Sequence, residues 1–376
     1  MEIGKQITQT EGFKAFVPSK FPPEEPITMG SSLIQLLNKA TLNLGKLDGI
    51  TQTLPDLDFF IFMYVRKEAA LSSKIEGTQA TMIDSLKAEL NISSDLPNDV
   101  NDIQHYIQAM NFGLNKLKSL PLSLRLIKEV HKVLLTDGRS SHFSSPGEFR
   151  ESQNWIGGAT PQTAKFVPPP VHEMKRALGD FEIFMQGEDE LPPLIKTGLS
   201  HAQFETVHPF LDGNGRTGRL LITFYLCEHN ILEKPVLYLS EFLKKNREVY
   251  FDLLHNYHNK GEVIPWLQFF LEGVNDVALK AIETSKKINA LRIRDIKKVQ
   301  EAGRSPKSAL AVLDKLYELP IVNVAKIEEW TGFNRSSANK LVEKLVNVGI
   351  LRQKDPHIEY GRIFEYKEYL DVFTRE

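Results

Sequence analysis

Residues 208–219 read HPFLDGNGRTGR, and this run constrains the fold of the chain more than any other. It sets three glycines, Gly213, Gly215 and Gly218, between two segments whose apolar residues recur at helical spacing. Pro209 disfavours α conformation at the residue before it, so a helix over 195–207 ends at His208. A second helix is predicted over Arg219–His229. Gly213-x-Gly215-x-x-Gly218 literally satisfies a dinucleotide-binding pattern, but that pattern needs a preceding β-strand in a βαβ unit. The preceding segment, LIKTGLSHAQFETVHPF, is helical in texture and poor in β-branched residues. A Walker-type loop fails as well, because no Lys-Ser/Thr pair follows the last glycine. What remains is a glycine-rich turn between helices in a mainly α chain.

A bland interhelical turn accounts for one glycine, or two, and leaves the other residues unexplained. Glycines let backbone N–H groups turn around an anion, and a following helix N-terminus adds a favourable dipole. Arg216 and Arg219 match phosphate oxygens in a bidentate way. Asp212, a lone acid beside phosphates, is a natural Mg²⁺ ligand. His208 at the mouth of the loop is placed to act as a general base near neutral pH. The run therefore reads as a phosphate-binding loop with a base beside it.

The 376 residues suffice for two or three domains, and the apolar (41%) and charged (25%) fractions are those of an ordinary soluble protein. A net charge of −2 gives no global pull toward nucleic acid or anionic membrane. Cys227 is the only cysteine, so no internal disulfide forms, which fits a reducing cytosol, and a cytoplasmic location is expected. No apolar run approaches the roughly 18 residues needed to span a bilayer, and no membrane association is expected.

Along the chain, residues 1–30 read as an extended polar lead-in. Helices are predicted over 31–44, 59–73, 102–117, 121–135, 173–186, 240–257 and 265–289, with a basic helical stretch over 286–298. In the second of these, Phe62, Val65, Ala69 and Ile75 form one apolar stripe. Residues 138–170 are rich in Gly, Ser and Pro and carry a predicted hairpin, 152–156 and 165–167 around Gly157-Gly158. The last seventy residues read as a separate unit: helices over 305–319, 324–331 and 334–348, then strands over 350–353 and 363–366. That is the order of a winged helix-turn-helix. Its eleven Lys/Arg balance eleven Asp/Glu. A DNA reader shows a basic bias, so protein contact, dimerisation or target choice is favoured over DNA.

HPFLDGNGRTGR resembles the signature of the Fic (Fic/Doc) family, HxFx(D/E)GNGRxxR, at every specified position. The resemblance implies a mainly α fold: a Fic-type helical bundle with a β-hairpin flap, here followed by the winged helix-turn-helix. It divides the chain into an N-terminal helical region (1–120), a catalytic core (121–270), a linker helix (271–304) and the C-terminal domain (305–376). It implies transfer of AMP from ATP to a Ser, Thr or Tyr hydroxyl of a target protein, with Mg²⁺ as cofactor. His208 is then the catalytic base and Asp212 the metal ligand. Gly213, Asn214, Gly215, Arg216, Thr217, Gly218 and Arg219 are the ATP- and phosphate-binding residues, with the Asn214 amide as an extra donor. Phe210 anchors the loop in the core. Tyr250 and Phe251 are candidates for the adenine wall, a role that competes with plain core packing.

Upstream, SSKIEG (72–77) sets Ser72 and Glu76 at i, i+4 on one helix face. Alone, the pair reads as a solvated helix end closed by Gly77. The family resemblance implies more, since many members carry an inhibitory helix with the pattern [ST]xxxE[GN]. Here that helix covers about 59–77, and Glu76 pairs with Arg219 to restrain the enzyme. Alternatives stay open: Doc-like phosphotransfer or removal of AMP on the same scaffold, or a DNA-binding regulator. Self-modification and homodimer formation also stay open.

Overall fold

The computed structural model describes residues 1–53, 57–90, 96–136, 145–187, 190–302 and 306–374. Part of the expected 138–170 segment, and Ser305 at the expected start of the C-terminal unit, lie outside the described residues.

The N-terminal region holds α1 (Ser31–Thr53), α2 (Leu57–Ile75), α3 (Met82–Glu89) and α4 (Val100–Lys116). Then come α5 (Leu124–Leu135), α6 (Val171–Gln186), α7 (Pro193–Val207) and α8 (Asn214–Glu228). Next are α9 (Ser240–Lys245), α10 (Arg247–Lys260) and α11 (Val263–Glu301). The bundle is built around α7 and α8. Every residue of α7 from Leu194 to Val207 is buried. A helix covered on all sides belongs at the centre of a bundle, and α4, α5, α6, α10 and α11 surround this pair. Trp266, fully buried on α11, donates its indole N–H to the Gly198 carbonyl of α7 at 2.8 Å.

Several sequence expectations change. The first thirty residues are not a plain lead-in: β1 (Gly4–Thr8) and β2 (Lys14–Pro18) form an antiparallel hairpin, Gly4 opposite Pro18. The hairpin is stabilised by distant partners, since Phe16 packs on Phe166 and donates its N–H to the Val167 carbonyl. The predicted 240–257 helix breaks at Asn246 into α9 and α10. Helix α8 starts five residues earlier than expected, because Gly213 caps it and the motif glycines join its first turns. Helix α3, with a Thr81–Asp84 capping box, adds to the helices expected from the sequence. Phe62 is 42% exposed and leaves the apolar stripe that Val65, Ala69 and Ile75 bury.

Helix α11 is one 39-residue rod that merges the two separate helical readings, and the expected boundary at 270 falls inside it. Beyond it lie α12 (Pro306–Glu318), β3 (Ile321–Asn323), α13 (Val324–Thr331), α14 (Arg335–Asn347), β4 (Arg352–Gln353), β5 (Ile363–Glu365) and α15 (Lys367–Thr374). The sheet order is β3-β5-β4; β4 and β5 fall on the two predicted strand segments, while β3 and the terminal α15 are additions to the sequence reading. This unit is tied to the rest of the chain. Asp295, fully buried on α11, accepts from the Tyr366 hydroxyl at 2.6 Å, and Phe373 of α15 meets the Tyr64 ring of α2 edge-on.

Candidate active site

The loop between α7 and α8 is held from both sides by groups the sequence does not advertise. His208, the residue after α7, adopts a left-handed conformation (φ 47°, ψ 61°). For a non-glycine residue this is strained and persists only where surrounding bonds enforce it. Arg150 and Asn154 enforce it. The Arg150 side chain is 1% exposed; its Nε donates to the His208 carbonyl at 3.0 Å, Nη1 to the Ser152 carbonyl and Nη2 to the Pro169 carbonyl. The Asn154 amide donates to the carbonyls of His208 and Phe210. One guanidinium thus joins both ends of the 152–169 segment to the candidate base.

Phe210 is fully buried, as expected, and stacks on His131 with ring centroids 3.6 Å apart. The His131 tautomer follows from its partners: Gly147 donates its N–H to Nδ1, so Nε2 carries the proton and donates to the Asp212 carbonyl at 2.9 Å. On the other flank, His201 faces the Gly218 carbonyl through Nδ1 and the Tyr250 hydroxyl through Nε2. These two buried histidines brace the start and the first turns of α8. Sequence reasoning missed both, and missed Arg150. The signal available for His131 was a polar residue on the apolar face of a helix.

Helix α8 begins at Asn214, directly after the left-handed Gly213. The first i→i−4 bond of the helix runs from Thr217 N–H to the Gly213 carbonyl, so the N–H groups of Asn214, Gly215 and Arg216 precede the ladder. Such a turn is a ready anion site. One expected phosphate contact changes. The Asn214 amide bonds both the N–H and the carbonyl of Phe210 at 2.8 Å, which fixes the loop shape and turns it away from the cradle. Thr217 has its N–H in the helix and its side chain fully buried, where Oγ1 has no hydrogen-bond partner among the described residues. Arg216 lies 3.6 Å from the Asp212 carboxylate, whose Oδ1 accepts the Gly213 N–H. Asp212 is a half-exposed hard-oxygen donor at the loop mouth. The described residues hold no cluster of three or more metal-ligating side chains. A single carboxylate of this kind suits Mg²⁺ that keeps its waters and takes its remaining ligands from phosphates.

Arg219 is occupied. Its Nε donates to Ser72 Oγ at 2.8 Å, and its Nη2 donates to the Ser72 carbonyl at 3.0 Å and to Glu76 Oε1 at 2.7 Å. Glu76 reaches it because α2 ends in a Schellman turn: Thr78 N–H bonds the Ser73 carbonyl, Gly77 N–H bonds the Lys74 carbonyl, and Gly77 takes φ 93°. A carboxylate at a helix C-terminus is electrostatically unfavourable for that helix, so this glutamate is not there to stabilise α2. It lies instead over the first turn of α8, where Gly215 admits it. A Cβ at position 215 would stand 2.3 Å from Glu76 Oε1.

Burial lowers the His208 pKa to about 4, against the opposing pulls of the Glu205 carbonyl, Glu76 and Asp212, so the imidazole is neutral at pH 7 and able to accept a proton. Burial also works against charge on Arg219, but the Glu76 carboxylate outweighs it, raises the guanidinium pKa and keeps it protonated.

The predicted hairpin shrinks to one bridge, Ile156 opposite Phe166, with Gly157 and Gly158 in the left-handed region beyond it. Tyr250 is fully buried between His201 and Trp266, whereas Phe251 is 38% exposed beneath the Arg247 guanidinium. The two rings nevertheless touch, with centroids 5.0 Å apart. Among the described residues no helix is long and apolar enough to cross a membrane.

Residues 34–115 match the model described as Fic/DOC family N-terminal, and residues 121–226 match the Fic/DOC family model. A chain of Aquifex aeolicus named "Probable protein adenylyltransferase" is 26% identical over 51% of this chain and 57% of its own length. Protein adenylyltransferase Fic of Drosophila grimshawi is 28% identical over 53% of this chain and 39% of its own. The chain thus spans about half the length of the curated relatives it matches, or less. A Fic family protein from Desulfovibrio desulfuricans shares the fold at a TM-score of 0.59, with 15% identity over 91% of this chain and 98% of that one. The two family models together cover half of the 376 residues, and the chain belongs to the Fic/DOC family.

Proposed function

We propose that the chain transfers AMP from ATP to a hydroxyl side chain of a target protein and that its resting state is held in check by Glu76. The observation that carries the reading is the pairing of Arg219 with Ser72 and Glu76 beside an anion-binding helix N-terminus. His208 takes the hydroxyl proton. The hydroxyl oxygen bonds to the α-phosphorus as the bridge to the β-phosphate breaks, and pyrophosphate leaves. The N–H groups of Asn214, Gly215 and Arg216 hold phosphate oxygens, and Arg216 and Arg219 offset charge on the β- and γ-phosphates. Bound at Asp212, Mg²⁺ would neutralise charge between the α- and β-phosphates. This is positioning and electrostatic stabilisation, the main need of phosphoryl-type chemistry.

With Glu76 in place, the γ-phosphate meets a carboxylate where it needs a guanidinium, and the α-phosphate is left poorly aligned for attack. The 152–167 segment, closed by its one Ile156–Phe166 bridge, would serve as the flap against which a target segment pairs by main-chain bonds. The test is incubation of Glu76→Gly protein with labelled ATP and a lysate, with Glu76→Gly/His208→Ala as the blank. Label on target or self, with the mass increment of AMP by mass spectrometry, supports the reading. A phosphate increment would shift it to phosphotransfer, and label independent of His208 would overturn it.

A further inference from the structure

Glu205, one turn before His208, is a buried carboxyl that the mechanism above does not use. Its side chain is 9% exposed. Oε1 is buried with no hydrogen-bond partner. An unsatisfied buried oxygen costs a few kcal/mol unless it serves another purpose. Its placement is built in from the opposite helix. A Cβ at position 218 would stand 2.5 Å from Glu205 Oε1, so the last motif glycine leaves room for this oxygen. The other oxygen, Oε2, lies 3.9 Å from His208 Nδ1, and the Glu205 carbonyl lies 3.3 Å from the same nitrogen. The carbonyl and one carboxylate oxygen of Glu205 therefore face Nδ1, the carbonyl within hydrogen-bond distance and the carboxylate oxygen just beyond it. Among the described residues Nε2 has no hydrogen-bond partner.

Building on the proposed AMP transfer, we propose that Glu205 is the positioning residue of His208: its carboxylate, with its carbonyl, keeps the proton on Nδ1, leaves Nε2 to receive the hydroxyl proton, and balances the imidazolium that results. The proton passes from the target hydroxyl to Nε2, and no other bond changes at Glu205. Carboxylate–histidine pairs act in this way elsewhere, and their bonds are commonly long before substrate binds. The groups facing the pair are Glu76 from the end of α2, Arg219 from α8, Tyr250 and His258 from α10, and Arg150 and Asp212 from the flanking loops. Burial, and Glu76 beside it, push the Glu205 carboxyl up to about 8 against the pull of Arg219. At rest the group is therefore largely protonated near neutral pH, and departure of Glu76 removes one of the influences that keep it so.

The test compares Glu76→Gly with Glu76→Gly/Glu205→Gln. Glutamine keeps the shape but offers an amide N–H to Nδ1. Its expected effect is a fall in kcat of roughly 10- to 100-fold with KM for ATP unchanged, below the ~10⁴-fold lost when a fully bonded pair is broken. Glu76→Gly should show an inflection in kcat as Glu205 ionises, absent from the double variant. NMR of the His208 ring nitrogens supplies a readout independent of transfer: Nδ1–H in Glu76→Gly, and a shift toward Nε2–H in the double variant. Superimposed pH profiles with one shared tautomer would overturn the proposal, as would a raised KM with unchanged kcat. If Glu76→Gly transfers no AMP, the AMP-transfer reading fails while the tautomer still decides the role of Glu205.

Discussion

Replacing Glu76 by glycine tests the resting state most directly. The bond removed is a 2.7 Å contact between a carboxylate whose side chain is 38% exposed and a guanidinium only 2% exposed. Hydrogen bonds to charged groups contribute about 1.5–3 kcal/mol, and solvent at Glu76 places this one toward the lower end. About 1.5–2 kcal/mol is roughly 10- to 30-fold in the fraction of molecules with Arg219 available. Relief of repulsion between Glu76 and the polyphosphate acts in the same direction, so that range is a lower bound on the gain in rate. Ser72 continues to hold the Nε side of Arg219, which keeps the guanidinium oriented. The assay is the initial rate of AMP incorporation from labelled ATP at saturating Mg²⁺. Glu76→Gln, whose amide oxygen can still accept from Arg219 without the charge, should fall between the two. The substitution adds a glycine at the end of α2, costing about 1 kcal/mol of stability, which a thermal melt will register without loss of fold. A Glu76→Gly rate within twofold of the parent, in protein that melts cooperatively and binds ATP, would refute the argument.

Three further outcomes follow from the geometry. Arg150→Lys loses the fork that meets three carbonyls; stability should fall by at least about 3 kcal/mol in urea unfolding, as buried acceptors go unpaired. His131→Phe keeps the stack on Phe210 but drops the bonds to Asp212 and Gly147; a cost of about 2 kcal/mol and slower transfer in the Glu76→Gly background are expected. Acidification should destabilise the fold. Burial lowers His131, His201 and His208 to about 4 and His258 to about 3. Their ordinary value is 6.5, so the unfolded chain takes up protons first as pH falls. Stability is thus full above about 6.5 and declines toward 4, by up to about 1.4 kcal/mol per pH unit for each group. Glu205 and Glu68, raised by burial, act in the opposite sense over part of this range. They are two against four, and a urea midpoint unchanged between pH 7 and 5 would contradict the balance.

Where one local rule decides, the sequence and the structure agree. Pro209 stops α7, Gly77 closes α2 and Gly332 closes α13, each where the chain alone indicates. The pairing of Glu76 with Arg219 was legible only through the family resemblance; i, i+4 spacing puts Ser72 and Glu76 on one face, but that alone reads as a solvated helix end. Features stabilised by distant partners were not legible. The β1–β2 hairpin depends on Phe166 and Val167, about 150 residues away. Asn214 has the chemistry of a phosphate donor, and only the fold reveals that Phe210 uses both ends of its amide. Arg150 sits in an unremarkable loop until its three carbonyl partners are seen together.

Helix α11 has a mechanical consequence. A 39-residue helix is about 58 Å long, and the C-terminal unit is fastened to its side by Asp295 and Tyr366 rather than trailed on a flexible tether. A flexible tether would let a captured molecule search space around the cleft, with an effective concentration set by linker length. A rod permits no such search. Under the proposed AMP transfer, a molecule held by the C-terminal unit would be offered to His208 at one distance and orientation, so reach itself would act as a filter on what is modified.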